Sequence, residues 1–160
     1  MKPQRLLFAV MMLLSWAAIP VIGKRSFKRF LPASIFICTV AAIMNIPAAK
    51  RKWWVFHSSI HPKIRGDVPF VIGPYFVMSF LVMKLMYGKF GLFMIVNFML
   101  HILYAFPGVR FLEWTRIASL KKMNRQEFIL LQQLRAVLLY GFQVLYEKLR
   151  RSELKNNIQD

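Results

Sequence analysis

Apolar residues along this chain come in blocks of membrane-spanning length, and the polar residues are gathered between them. The blocks are Leu6–Ile22, Phe30–Ala49, Val68–Met83 and Phe90–Val109. A bilayer core of about 30 Å needs about 20 helical residues at ~1.5 Å each. The third block is short, but Lys84 could lay its aliphatic stem along the helix and place its amine at the interface, so the helix can run to Tyr87. The pattern therefore predicts four transmembrane helices at 6–22, 30–49, 68–87 and 90–109. Pro32 is expected in the first turn of the second, where a missing N–H costs little, and Pro47 ends or bends its last turn. Gly73-Pro74 predicts a kink in the third, and the Gly88-Lys89 link to the fourth predicts a tight antiparallel hairpin. The first block also has the charged start and apolar middle of a signal peptide. Trp16, Pro20 and the following Lys24-Arg25 favour an uncleaved helix.

Past Val109 the pattern changes. Residues 110–125 read as a basic linker. Asn124 and Glu127 then form a capping-box pair, and Met123 and Phe128 occupy hydrophobic-staple positions, so a helix starts here. Phe128, Leu131, Leu134, Leu138, Phe142, Leu145 and Leu149 share one face at helical spacing. The expected element is an amphipathic helix over 126–151 that packs on the bundle, or lies in the interface, by that face. The alternative is a fifth span. It would have to bury Gln132, Gln133, Gln143 and Arg135, and a central Arg alone costs about 2.5–3.5 kcal/mol. A polar tail, 152–160, is expected to fray. The fold class predicted is all-α: a polytopic integral membrane protein with a four-helix transmembrane bundle and a C-terminal amphipathic helix.

Composition agrees with that placement. The chain of 160 residues is 58% hydrophobic and carries a net charge of +17. Such an excess of cations can mean nucleic acid, but here the cations flank apolar blocks, where anionic headgroups attract each by about 1 kcal/mol. Anionic lipid is thus the expected partner, and nucleic acid is not. With four spans and the N-terminus inside, 17 of the 23 Lys and Arg fall on the inner side, so both termini are expected in the cytoplasm. Within loop 50–67, Lys50, Arg51 and Lys52 read as phosphate contacts, and Trp53 and Trp54 as an aromatic anchor. Cys38 is the only cysteine, which rules out an intramolecular disulfide.

Candidate chemistry is sparse. His57 and His61 stand at i, i+4, a spacing that suits a metal on a helix, but Pro62 and the surrounding cations make them weak ligands, and no metal or other cofactor is expected. Asn97, His101 and Tyr104, continued by Gly108, form a polar stripe on the fourth span; buried polar groups in a membrane face protein or a water-filled cavity. On the second span Ser34, Cys38, Ala41, Asn45 and Ala48 make a small-residue stripe suited to close helix packing. That stripe is expected against the fourth span, with Asn45 near Asn97 or His101, or else in a homo-oligomer. The four spans contain no acid, and no hydrolase, zincin or phosphate-loop motif occurs, so catalysis is not expected. Three functional readings follow: a structural or regulatory membrane component, a small oligomeric transporter or channel with its polar path on span 4, and an anionic-lipid sensor.

The strings KRSFKRFLP, VPFVIGPYFV and YGKFGLFMIVNFMLHILYAFP, within residues 24–109, resemble those of a group of small multi-span proteins from endospore-forming Gram-positive bacteria. The resemblance implies a bacterial cytoplasmic membrane. The group brings no activity, cofactor or catalytic residue with it.

Overall fold

A computed structural model describes residues 3–57 and 66–159. Helices α1 (Pro3–Ala17), α2 (Ile19–Ile22) and α3 (Lys24–Lys50) are followed by strand β1 (Trp54–Phe56). Then come α4 (Asp67–Met86), α5 (Phe90–Trp114), strand β2 (Ala118–Leu120) and α6 (Arg125–Gln159). Among the described residues, four segments are long and apolar enough to cross a membrane: Lys24–Lys50, Asp67–Met86, Phe90–Trp114 and Arg125–Ser152. These are not the expected four. The N-terminal block forms a helix of 15 residues that breaks at Ala18, and the C-terminal segment joins the long helices instead. Gly23, at φ 78°, turns the chain into α3, a conformation open to glycine at little steric cost. Because α3 begins at Lys24, Pro32 lies inside the helix and not in its first turn.

The helices alternate in direction, so the molecule has two ends. At one end lie the starts of α1, α4 and α6 with the β-ribbon; at the other lie the α2–α3 corner and the α4–α5 hairpin. Contacts fix this arrangement. Leu7 and Met11 of α1 pack against Leu112, Ile117 and Ala118 near the ribbon, and Trp16 stacks on Phe76 further along. Late in α6, Glu147 accepts two hydrogen bonds from Arg29, at 2.6 and 3.0 Å, early in α3. The Arg29 guanidinium also lies 4.9 Å from the Tyr87 ring centre, and Tyr140 of α6 accepts a hydrogen bond from the Gly88 N–H in the hairpin. The N-terminus of α1 and the C-terminus of α6 therefore lie at opposite ends.

Two strands depart from the all-α expectation. Trp54 pairs with Leu120, Val55 with Ser119 and Phe56 with Ala118, antiparallel. Neither run is long enough to show a two-residue alternation, so both looked like loop. Each strand follows a helix that ends in the same way. The Trp53 N–H reaches the Ala48 carbonyl and the Lys52 N–H that of Ala49; Ile117 and Arg116 repeat this on Leu112 and Glu113. These are Schellman ends with Lys52 and Arg116 at φ 54°, where glycine is the usual residue. Lys52→Gly should raise stability by about 0.5–1 kcal/mol, because the left-handed strain removed exceeds the added chain entropy. Thermal unfolding in detergent would register it as a small upward shift in Tm. The expected linker 110–125 is thus partly helix (through Trp114) and partly strand, and the tail expected to fray continues α6 to Gln159.

The core combines Phe30, Ala33, Ile37, Phe80, Met83, Phe93, Ala136 and Leu139. α6 packs against both α3 and α5, and α4 closes the group by packing against α3 and α5. The start of α6 is as expected: the Asn124 N–H donates to Glu127 at 3.0 Å, completing one half of the capping box.

Candidate functional site

The face that α6 buries is not its leucine face. Phe128, Gln132, Arg135, Ala136, Leu139 and Gln143 point inward, whereas Leu134, Leu138, Leu145 and Leu149 are exposed. Of the expected packing face, Leu134, Leu138, Leu145 and Leu149 are turned outward, Leu131 and Phe142 are half-buried and only Phe128 is buried. Gln132, Arg135 and Gln143, which argued against a span, form the interior. An aqueous amphipathic helix does the reverse, while a helix among lipids turns polar groups toward its neighbours. The signal was present in the sequence: positions 132, 135, 139 and 143 repeat at three and four, and three of the four are polar.

Arg135 is the centre of this interior, with 5% of its surface exposed. One Nη donates to Gln132 Oε1 at 3.0 Å and the other reaches Asn45 Oδ1 at 3.5 Å, while Tyr75 lines the same two cavities as the guanidinium. Both partners are neutral, and Nε has no hydrogen-bond partner among the described residues. A guanidinium so placed has lost most of its hydration, and no carboxylate among the described residues bonds it.

Two cavities meet at Arg135. The smaller, of about 60 Å³, lies toward the ribbon and is lined by Asn45, Trp54, Asp67, Tyr75, Tyr104 and Phe128 among others. The larger is a lateral groove of about 530 Å³ between α4 and α5, floored by Gln132, Arg135, Ala136 and Leu139 of α6. Arg135, Gln132, Phe70, Tyr75 and Tyr104 line both and form the wall between them.

Both tyrosines belong to π-helical turns. One spans Val71–Tyr75 and contains Gly73-Pro74; the other spans Tyr104–Gly108 and contains Pro107-Gly108. Proline has no N–H to donate and crowds the preceding carbonyl, so the chain takes an extra residue in the turn at these points. The expected kink is thus a widened turn, with a second one in α5. Glycine has a spatial reason at each. A side chain at Gly73 would come within 3.1 Å of Met12, and one at Gly108 within 3.2 Å of the Tyr104 ring.

The expected polar stripe holds together. Asn97, His101, Tyr104 and Gly108 all line the groove. Asn97 donates to the Phe93 carbonyl at 2.8 Å, a bond within its own helix, and His101 Nδ1 is 3.0 Å from Gln133 Oε1 on α6. Gln133 in turn donates to the Met94 carbonyl at 3.1 Å. The small-residue stripe is buried as expected at Ser34, Ala41, Asn45 and Ala48, and the Cys38 thiol lies 3.7 Å from the Val71 carbonyl. Its neighbour is a correction. The stripe faces α6 and α4 rather than α5, and Asn45 meets Arg135 instead of Asn97 or His101, because α6 stands between α3 and α5.

The basic segment is more folded than an anchor loop. Trp54 lies in β1, packs edge-on against Phe128 at 6.1 Å and covers the smaller cavity. Arg51 sits 5.8 Å from the Trp53 ring, and the backbones of Lys52 and Trp53 accept hydrogen bonds from Lys122 and Lys121; Lys50 is exposed. His57 pairs with Ser119 at 2.8 Å, while His61 lies outside the described residues. No group of three or more His, Cys, Asp and Glu that could hold a metal occurs among the described residues.

No family model, curated protein or solved structure matches the chain. The site therefore has to be read from its own chemistry. A buried cation with neutral partners, at the floor of a largely apolar groove, can attract and orient an anionic group. Among the described residues, the titratable ones that line the groove are His101, Tyr75, Tyr104 and Arg135.

Proposed function

We propose that this chain is a multi-pass membrane protein in which α6 crosses the bilayer alongside α3, α4 and α5, and that it acts as a binding component of that membrane rather than as an enzyme. One observation carries the reading: α6 buries Gln132, Arg135 and Gln143 and exposes Leu134, Leu138, Leu145 and Leu149. The exposed side chains of the other long helices are of the same kind, including Ile43, Ile46, Ile72, Ile95, Met99 and Leu103. In water such a surface would drive aggregation; among acyl chains it carries no penalty.

This reading moves the C-terminus. With α6 crossing, the termini lie on opposite sides. By chain segment, twelve Lys and Arg then belong to the ribbon end and ten to the hairpin end, with Arg135 between them. A bias that small no longer selects the cytoplasmic side, unlike the count made for four spans. The lipid-sensor reading loses support on α6, whose outward face from Leu130 to Leu145 shows leucine and valine rather than cations.

Spin labels at Leu134 and Leu145 in the full chain, reconstituted in liposomes, test the reading. Both are expected to collide with oxygen and to be shielded from a water-soluble nickel complex. Strong nickel collision at both positions would place α6 on the membrane surface and overturn it. A transport reading is favoured by one observation only, the shared wall of Tyr75, Tyr104 and Arg135 between the two cavities. On that reading His101→Ala alters solute flux in proteoliposomes.

A further inference from the structure

Four features converge on the lateral groove. Its floor holds a cation whose described hydrogen-bond partners, Gln132 and Asn45, are neutral and whose Nε has no described partner. Its walls are π-turns from two different helices, each bringing a tyrosine to the wall beside that cation. Its mouth is rimmed by Met78, Leu103 and Phe111, each of them among the exposed apolar residues that face the hydrocarbon when α6 crosses. Its volume, about 530 Å³, falls in the range of small-molecule sites, roughly 300–1,000 Å³.

Size and chemistry together narrow the occupant. A groove of about 530 Å³ that opens sideways has room for a long aliphatic chain with a small head. Asp67, the acid that lines the smaller cavity, is absent from the groove lining. An occupant that brought its own negative charge would supply what Gln132, Asn45 and Tyr75 lack. The Arg fork suits carboxylate and phosphate oxygens alike, and the 3.5 Å contact to Asn45 is the weakest of the present ones.

We propose that the groove binds a single-chain anionic amphiphile that enters sideways from the bilayer, with its carboxylate or phosphate head on Arg135 and its chain between α4 and α5. This rests on the reading of α6 as a crossing helix. Met78, Leu103, Phe111 and Leu100 form the chain-facing surface, and Gln132 holds the guanidinium beside the head.

The test is equilibrium binding of radiolabelled palmitate to the full chain in a neutral detergent, with unlabelled palmitate, hexadecyl phosphate and hexadecanol as competitors. Palmitate or hexadecyl phosphate should compete about tenfold or more better than hexadecanol, since a charge-assisted hydrogen bond separates them. Which of the two competes better identifies the head as carboxylate or phosphate. In Arg135→Gln the preference for the acids over the alcohol should disappear, while Arg135→Lys keeps part of it. Met78→Trp leaves the cation in place and fills the mouth, and should weaken all three competitors together. Equal competition by acid and alcohol in the unaltered chain, or an unchanged preference in a folded Arg135→Gln, would overturn the proposal. Shielded spin labels on α6 alongside that result would show that the ligand assignment alone had failed, with the crossing helix intact.

Discussion

A single cysteine at Ser152 and one at Lys121, each in a Cys38→Ala background, are expected to react with a membrane-impermeant maleimide from opposite sides. A third, at Lys89 in the hairpin, should behave like Ser152. The prediction follows from direction alone: α6 starts beside the ribbon, where Trp54 meets Phe128, and reaches the hairpin end, where Glu147 holds Arg29 and Tyr140 meets Gly88. The effect is close to all-or-none, since a label that needs permeabilisation in one variant needs none in the other. Labelling of Ser152 and Lys121 from the same side would mean that α6 does not cross, and the groove would then open to a different solvent.

Neighbouring residues on α6 should respond in opposite directions to substitution. Leu134→Arg puts a charge on the outward face and should lower stability by about 2.5–3.5 kcal/mol, the cost of arginine at a helix centre in the bilayer. Arg135→Met removes a charge that is already buried. Its two neutral hydrogen bonds are worth about 0.6 kcal/mol each in a membrane, less in total than the desolvation relieved, so the variant should be about 1 kcal/mol more stable than the parent. Thermal unfolding of both variants in one detergent reads the difference. A large loss of stability on Arg135→Met would make the arginine a structural keystone and remove the reason to assign it a ligand. A gain, with binding abolished, is the pattern of a residue kept for function at a cost in stability.

Much of the arrangement was legible in the chain. The segments at 30–49, 68–87 and 90–109 reappear in α3, α4 and α5, helices long and apolar enough to cross a membrane, because length and composition are properties of the chain itself. The Gly88-Lys89 hairpin and the Asn124–Glu127 start of α6 were also readable, since both depend on residues within a few positions of one another. The Asn97, His101, Tyr104 stripe was read correctly as one surface, for one helix determines it.

Relations between distant segments were not readable. The strand pair of 54–56 with 118–120 depends on two helices ending at the same level, with Lys52 and Arg116 in the same left-handed turn. Neither strand has enough residues to announce itself. Asn45 meets Arg135 of α6 and not α5, because packing order in a bundle is set by which helix fills the space between two others, and α6 fills it here.

What the sequence by itself determined is the inventory: a helical, strongly basic chain with bilayer-length apolar segments, and the positions at which proline and glycine interrupt them. Only the tertiary structure decided which face of α6 looks inward. Hydrophobic periodicity is the same for a helix that buries its leucines away from water and for one that offers them to lipid, since both need one apolar stripe and one polar stripe. The choice rests on what surrounds the helix. In this fold Asn45, Tyr75 and Gln132 gather around Arg135, and the leucines are left to the outside.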